Sequence, residues 1–202
     1  MWLRGALIGT ALLLSIPAYA TTIDFESYSD PSVLGTSFSN SGATFSITSG
    51  TGFEVSAYGI PDWGTAAPQI LCPRADGINR YCSGDFDVNF STAVTNLKFY
   101  FTGDEDTRLS LSVEAFFNGS SLGVQTFAPD GDVFTAQLVD LSGLGSIDRI
   151  SVNEPGDPDG YGYDDFSFDR TGSRVPEPGT LSLLSAGLVA LAVRRRRRAK
   201  TL

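Results

Sequence analysis

The chain has 202 residues, 14 Lys and Arg, 23 Asp and Glu, and no histidine. Without histidine, neither a Ser-His-Asp nor a Cys-His constellation can be built, and no mixed zinc site can be completed. Any catalysis would rest on carboxylates, lysine or tyrosine. The charge is divided unevenly: Thr21 to Arg174 holds 22 acidic and 7 basic residues, a net of −15, while Arg4, Arg194 to Arg198 and Lys200 supply the other half of the positive charge. A domain so acidic repels nucleic acid and attracts divalent cations.

The N-terminus reads Met1-Trp2-Leu3-Arg4, an apolar run from Gly5 to Ile16, then Pro17-Ala18-Tyr19-Ala20. One positive charge, a short apolar core and small residues at 18 and 20 predict a secretory signal peptide over residues 1–20, cut after Ala20. The alternative, a buried N-terminal helix, fits the flanks less well. Export places Cys72 and Cys82 in an oxidising compartment. Nine residues lie between them in a stretch with Pro, Gly and Asp, and the spacing is not C-x-x-C. A disulfide is therefore expected, stabilising by about 2–3 kcal/mol through so small a loop.

Residues 21–170 read as one domain, long enough for a single core. No helical periodicity persists over three turns. Short runs of β-type residues are separated by Gly, Asp, Asn, Ser and Pro instead. The predicted strands are Thr22–Glu26, Ala43–Thr48, Gly52–Ala57, Phe86–Phe90, Val94–Phe101, Leu109–Asn118, Ser121–Phe127, Phe134–Asp140, Ile147–Val152 and Asp164–Asp169. Leu97, Phe99 and Phe101 share one face; so do Leu109, Leu111, Val113 and Ala115; so do Phe166 and Phe168. A period of two with one apolar face is the mark of antiparallel sheets. Asn118-Gly119 is a hairpin turn signal. The expected fold class is all-β, a two-sheet antiparallel β-sandwich of jelly-roll type, with an N-terminal signal helix and a C-terminal transmembrane helix. The stretch Ser49 to Asp85, with Pro61, Trp63, Pro68, Pro73 and both cysteines, reads as a long disulfide-stapled excursion from the sandwich.

After Arg170 the β pattern stops. A polar linker, residues 171–174, leads to Val175-Pro176-Glu177-Pro178-Gly179-Thr180, an apolar run from Leu181 to Val193, and a basic tail over residues 194–202. The apolar run is thirteen residues, about 20 Å as helix against a hydrocarbon core of about 30 Å. Proline suits the first helical turn, and the arginines can snorkel to lengthen the span. The arginine block stays cytoplasmic, so the domain faces outward. The motif, helix and basic end together closely resemble the PEP-CTERM sorting domain of Gram-negative bacteria. The resemblance covers about the last 27 residues. It implies a precursor anchored in the inner membrane and facing the periplasm. Partners would be the secretion translocon and an exosortase, in organisms that make extracellular polysaccharide. The destination would be the cell surface or the medium. An ordinary C-terminal tail anchor is the alternative.

The domain itself loosely resembles a jelly roll of the carbohydrate-binding-module kind, through its strand pattern and two short motifs, Ile23-Asp24-Phe25-Glu26 and Tyr163-Asp164-Asp165-Phe166. In such folds the first and last strands lie side by side and share a structural calcium. The resemblance carries a ligand role to Glu26 and Asp164. Asp164 has the parity of Phe166 and Phe168, so it points inward at a strand end, where a carboxylate needs a partner. Calcium takes six to eight oxygens, and Asp24 or Asp30 could add to the set. The alternative is a pair of solvated or hydrogen-bonded carboxylates. Asp157-Pro158-Asp159-Gly160, Gly103 to Asp106 and Asp130-Gly131-Asp132 read as turns.

Trp63, Tyr58 and Tyr161, with Tyr81 and Tyr163, stand in loop-like contexts and could stack on a sugar ring; the alternative is packing over the sandwich edge. Three functions follow: a non-catalytic, surface-sorted protein of the extracellular polysaccharide matrix or biofilm; a lectin-like carbohydrate-binding module; and a small glycan hydrolase built on paired carboxylates.

Overall fold

Aromatic and β-branched residues at alternating positions favour pleated strands, because each side chain then meets a cross-strand neighbour. In the computed structural model the described residues are 20–57, 69–74, 82–102, 109–132, 135–156 and 160–170. All fall within the unit Ala18–Thr171. They form β1 (Ala20–Ile23), β2 (Ser32–Gly35), β3 (Ser37–Asn40), β4 (Ala43–Ser49), β5 (Gly52–Ala57) and β6 (Gln69–Arg74). Then come β7 (Asp85–Thr102), β8 (Leu111–Phe117), β9 (Ser120–Phe127), β10 (Gln137–Asp140), β11 (Ile147–Asn153) and β12 (Gly162–Arg170). Among the described residues the helical content is one 3-10 turn, Ser142–Leu144. No helix among them is long and apolar enough to cross a membrane. The signal peptide, the linker, the motif at 175–180, the helix at 181–193 and the basic tail lie outside the described residues.

Every pairing between these strands is antiparallel, as the alternation requires. The path runs β2-β5-β6-β12-β7-β11-β8-β9, with β1 on β12, β10 and β4 on β7, and β3 on β4. All twelve strands thus form one hydrogen-bonded network joined through β7. Residues 85–90 of β7 pair with β4 and β11. Residues 94–102 pair mainly with β12 and β10.

Two predicted strands are therefore one. Asn96 explains why they read separately. It sits at φ 54°, a conformation that asparagine tolerates better than most residues, and adds one residue to β7 where the β12 register shifts. The core face switches from Phe86, Val88, Phe90 and Val94 to Leu97, Phe99 and Phe101.

The excursion predicted over Ser49 to Asp85 is corrected in part. Gln69–Arg74 is a strand between β5 and β12, with Ile70, Leu71 and Cys72 buried. Pro73 disguised it, since proline is poor in a sheet interior. β2 and β3 are short and rich in Ser and Gly, and carried too weak a pattern to be expected. The Asn118-Gly119 turn forms as predicted, with both residues at positive φ (51° and 75°) and Phe117 opposite Ser120.

The core is aromatic. Phe45 meets Phe166 at 5.2 Å, Phe53 meets Phe86 at 5.7 Å, Phe86 meets Tyr163 at 4.9 Å, and Phe99 stacks on Phe166 at 4.7 Å. The first three contacts join strands on the two halves of β7. Each such pair contributes about 0.5–1.5 kcal/mol beyond its buried area.

Candidate functional site

The turn after β1 is set by Phe25, which sits at φ 56° and is fully buried. A bulky residue in this conformation costs about 1–2 kcal/mol. Its ring packs edge-on against Phe38, Phe45 and Phe166, which offsets that cost. The turn leaves Asp24 exposed and Glu26 half-buried at the rim. The backbone N–H of Glu26 donates to Asp24 Oδ1 at 3.3 Å.

Two carboxylates hold the end of the β5–β6 pair. Glu26 Oε1 accepts the Gln69 N–H at 3.0 Å. Asp30 Oδ1 accepts the Ala57 N–H at 3.1 Å and the Ser56 hydroxyl at 3.3 Å. Ala57 and Gln69 are direct partners across the two strands. The segment 58–68 thus departs and returns through residues whose N–H groups are bound by acids of the β1–β2 connection. Tyr58 and Trp63 belong to that segment and lie outside the described residues, as does Tyr81.

Asp165 joins Asp24 and Glu26, and Asp164 is placed otherwise than predicted. Asp165, at φ 50°, adds one residue to β12 between Asp164 and Ser167. Before this bulge the core side of β12 is Tyr161 and Tyr163; after it, Phe166 and Phe168. Asp164 therefore stands on the face opposite Tyr163, although only 3% of it is exposed. Its parity with Phe166 misled because the bulge lies between them. Asp164 Oδ1 accepts the Asp165 N–H at 2.8 Å. The Asp165 carboxyl is pushed above its ordinary value, first by burial, then by the charges of Asp24 and Glu26. Asp165 is the residue that sequence reasoning missed. The signal was the Asp164-Asp165 pair, since Asp tolerates the left-handed conformation a bulge needs. Among the described residues, no group of three or more His, Cys, Asp and Glu could hold a metal ion.

Beyond β6 the disulfide between Cys72 and Cys82 is formed, as expected. Cys72 pairs in register with Glu54, whose Oε2 lies 2.6 Å from Arg74 Nη1. Cys82 bridges to Gly160, which sits at φ 67° where an added Cβ would strike the Cys82 carbonyl and the Ser83 nitrogen. Tyr161 is corrected: it is fully buried, donates its hydroxyl to the Leu109 carbonyl at 2.7 Å, and packs edge-on against Phe101. A sugar cannot stack on it. Tyr163 is likewise buried; burial and the Glu154 carboxylate beside it push its phenol well above the usual value. Asp130-Gly131-Asp132 is a turn, with the Asp132 N–H donating to Asp130 Oδ1 at 2.9 Å. Residues 103–106 and 157–159 lie outside the described residues.

Residues 174–198 match the PEP-CTERM protein-sorting motif. No curated protein matches the chain. Among solved structures it is similar to a DUF4465 family protein from Bacteroides ovatus ATCC 8483, at 10% identity over 75% of this chain and 99% of that one, TM-score 0.44. It is similar to the K1 cleaved adhesin domain of Lys-gingipain from Porphyromonas gingivalis W83, at 13% identity over 76% and 99%, TM-score 0.46. It is also similar to a variant of a family 29 carbohydrate-binding module, at 15% identity over 76% and 93%, TM-score 0.38.

Proposed function

We propose that this chain is a non-catalytic protein of the cell surface or extracellular polysaccharide matrix, delivered there by exosortase processing of its C-terminal tag. The sorting motif at residues 174–198 carries the reading. It marks an exported, membrane-anchored precursor of the Gram-negative type, and the net charge of the domain suits an extracellular setting. The β domain is read as a two-layered sandwich in which β7 passes through both layers; the ring contacts between the two halves of β7 support this. The test is cell fractionation of the native chain beside a Glu177→Ala variant. The native domain should reach the surface or medium with its tag removed, and the variant should stay in the inner membrane. Identical distribution of the two removes the reading.

A second reading, binding of a glycan through Tyr58 and Trp63, is favoured by the clamp that Glu26 and Asp30 place on the segment bearing them. A glycan array with and without calcium tests it, and no binding to any glycan removes it. A structural calcium at Glu26, Asp24 and Asp164 would accompany either reading; what supports it is the resemblance to carbohydrate-binding jelly rolls and the acidity of the domain. A melting temperature unmoved by EGTA removes the ion.

A further inference from the structure

The two ends of the described chain meet. Ala20, the first residue of β1, pairs with Asp169, and Thr21 pairs with Phe168. Directly opposed residues of antiparallel strands lie about 4.5–5.5 Å apart. Whatever precedes Ala20 and whatever follows Arg170 therefore leave from one end of the fold. The Ser41-Gly42 turn and residues 91–96 of β7 lie beside that exit. The Ser41 carbonyl accepts Arg170 Nη2. The Ser91 N–H donates to the Gly42 carbonyl at 2.9 Å. Asn96 Nδ2 donates to Asp169 Oδ2 at 2.7 Å. Ser41, Gly42, Ser91, Thr92 and Asn96 are exposed and uncharged. Asp169 and Arg170 carry opposite charges.

Chain length sharpens the point. Three residues, Thr171-Gly172-Ser173, separate Arg170 from the matched motif, which begins at Arg174. From Arg170 to Val175 the chain reaches at most about 18 Å. A domain of about 150 residues has a radius of gyration of about 15 Å. This tether is all the chain between the last paired residue of β12 and the motif. Fraying of β12 cannot lengthen it at small cost. The strand is paired to both β1 and β7, and Phe166 and Phe168 are buried in the core. Peeling them out would expose both rings.

We propose that residues 171–173 provide the length of chain that the enzyme processing the tag needs between the motif and the paired end of β12. The inference rests on the reading that the tag is processed.

Cells making the full chain test this, by following the mass loss of tag removal and the release of the domain from membranes. Five forms are compared: the native chain, chains lacking one residue (Ser173) or all three (Thr171-Gly172-Ser173), a chain with those three replaced by Gly-Ser-Gly, and Glu177→Ala. Processing should slow with each residue removed, at least tenfold for all three. Gly-Ser-Gly should match the native chain, and Glu177→Ala should block processing. Native rates in the shortened chains overturn the proposal. So does an equal loss with Gly-Ser-Gly, which would mean sequence rather than length. If the native chain and Glu177→Ala behave alike, it is the tag reading that falls. Non-reducing electrophoresis of the Cys72–Cys82 disulfide checks that each form has folded, and the single-residue deletion decides the matter if the longer one misfolds.

Discussion

Two carboxylates on strands flanking β6 meet opposite fates. Glu54 on β5 is 6% exposed and has Arg74 at 2.6 Å. Asp165 on β12 is half-buried and faces Asp24 and Glu26, both of its own sign. Burial raises the cost of an ion in either place; what differs is the charge that answers it. The first arrangement holds the sheet together, and the second works against it.

The sharpest way to break the first arrangement is Arg74→Met. It strands Glu54 as a buried charge and should cost about 3–5 kcal/mol in urea denaturation. Adding Glu54→Leu should return most of the loss. If the single change is harmless, the pair is not what stabilises this edge. Next in size is the neighbouring disulfide. Removing it with Cys72→Ala and Cys82→Ala should cost about 2–3 kcal/mol, read from the same denaturation curve.

The second arrangement should respond in the opposite direction. Asp165 holds its proton more tightly in the folded chain than in the unfolded one. Stability therefore falls as pH rises from 3.8 through the raised value, and stays lower above it. Asp165→Asn keeps the left-handed conformation accessible and removes the charge. In EGTA its melting temperature should exceed the native one at pH 7, with the gap closing toward pH 3.8 and below. A variant less stable than native at pH 7 would show that the carboxylate is answered by something other than its two neighbours.

The smallest effect should be at Asp140, whose carboxyl is lowered to about 2 by hydrogen bonds from Lys98 and Ser142. Here the sign reverses: the contribution is present above 3.8 and lost as pH falls through about 2. Both partners are 40% exposed, so Lys98→Ala should cost under about 1 kcal/mol and flatten only the acid limb of a pH–stability curve.

Much of the fold was legible because most of its strands alternate cleanly. β8, β9, β11 and the hairpin turn at Asn118-Gly119 lie within a few residues of where the period of two places them. Errors arose where one residue changes the phase. Asn96 in β7 and Asp165 in β12 each insert a residue at positive φ, and beyond each the buried face changes parity. Neither bulge is visible in hydrophobicity, since Asn and Asp are also ordinary turn and surface residues. β6 was lost to its proline. Asp164 was assigned to the wrong face of β12 for the same reason of phase. Tyr161 was misjudged because a tyrosine beside glycines looks like a loop, while its hydroxyl had a carbonyl to reach inside.

The sequence by itself determined that the described residues form antiparallel β-strands, that Cys72 and Cys82 pair, and that a sorting motif follows Arg170. Those are local properties, written in periodicity, spacing and contiguous motif. Only the tertiary structure decided which acids gather, which tyrosines are hidden, and that the strand opening the domain lies against the strand that ends it. These depend on register, and a single bulged residue rewrites register for every residue beyond it.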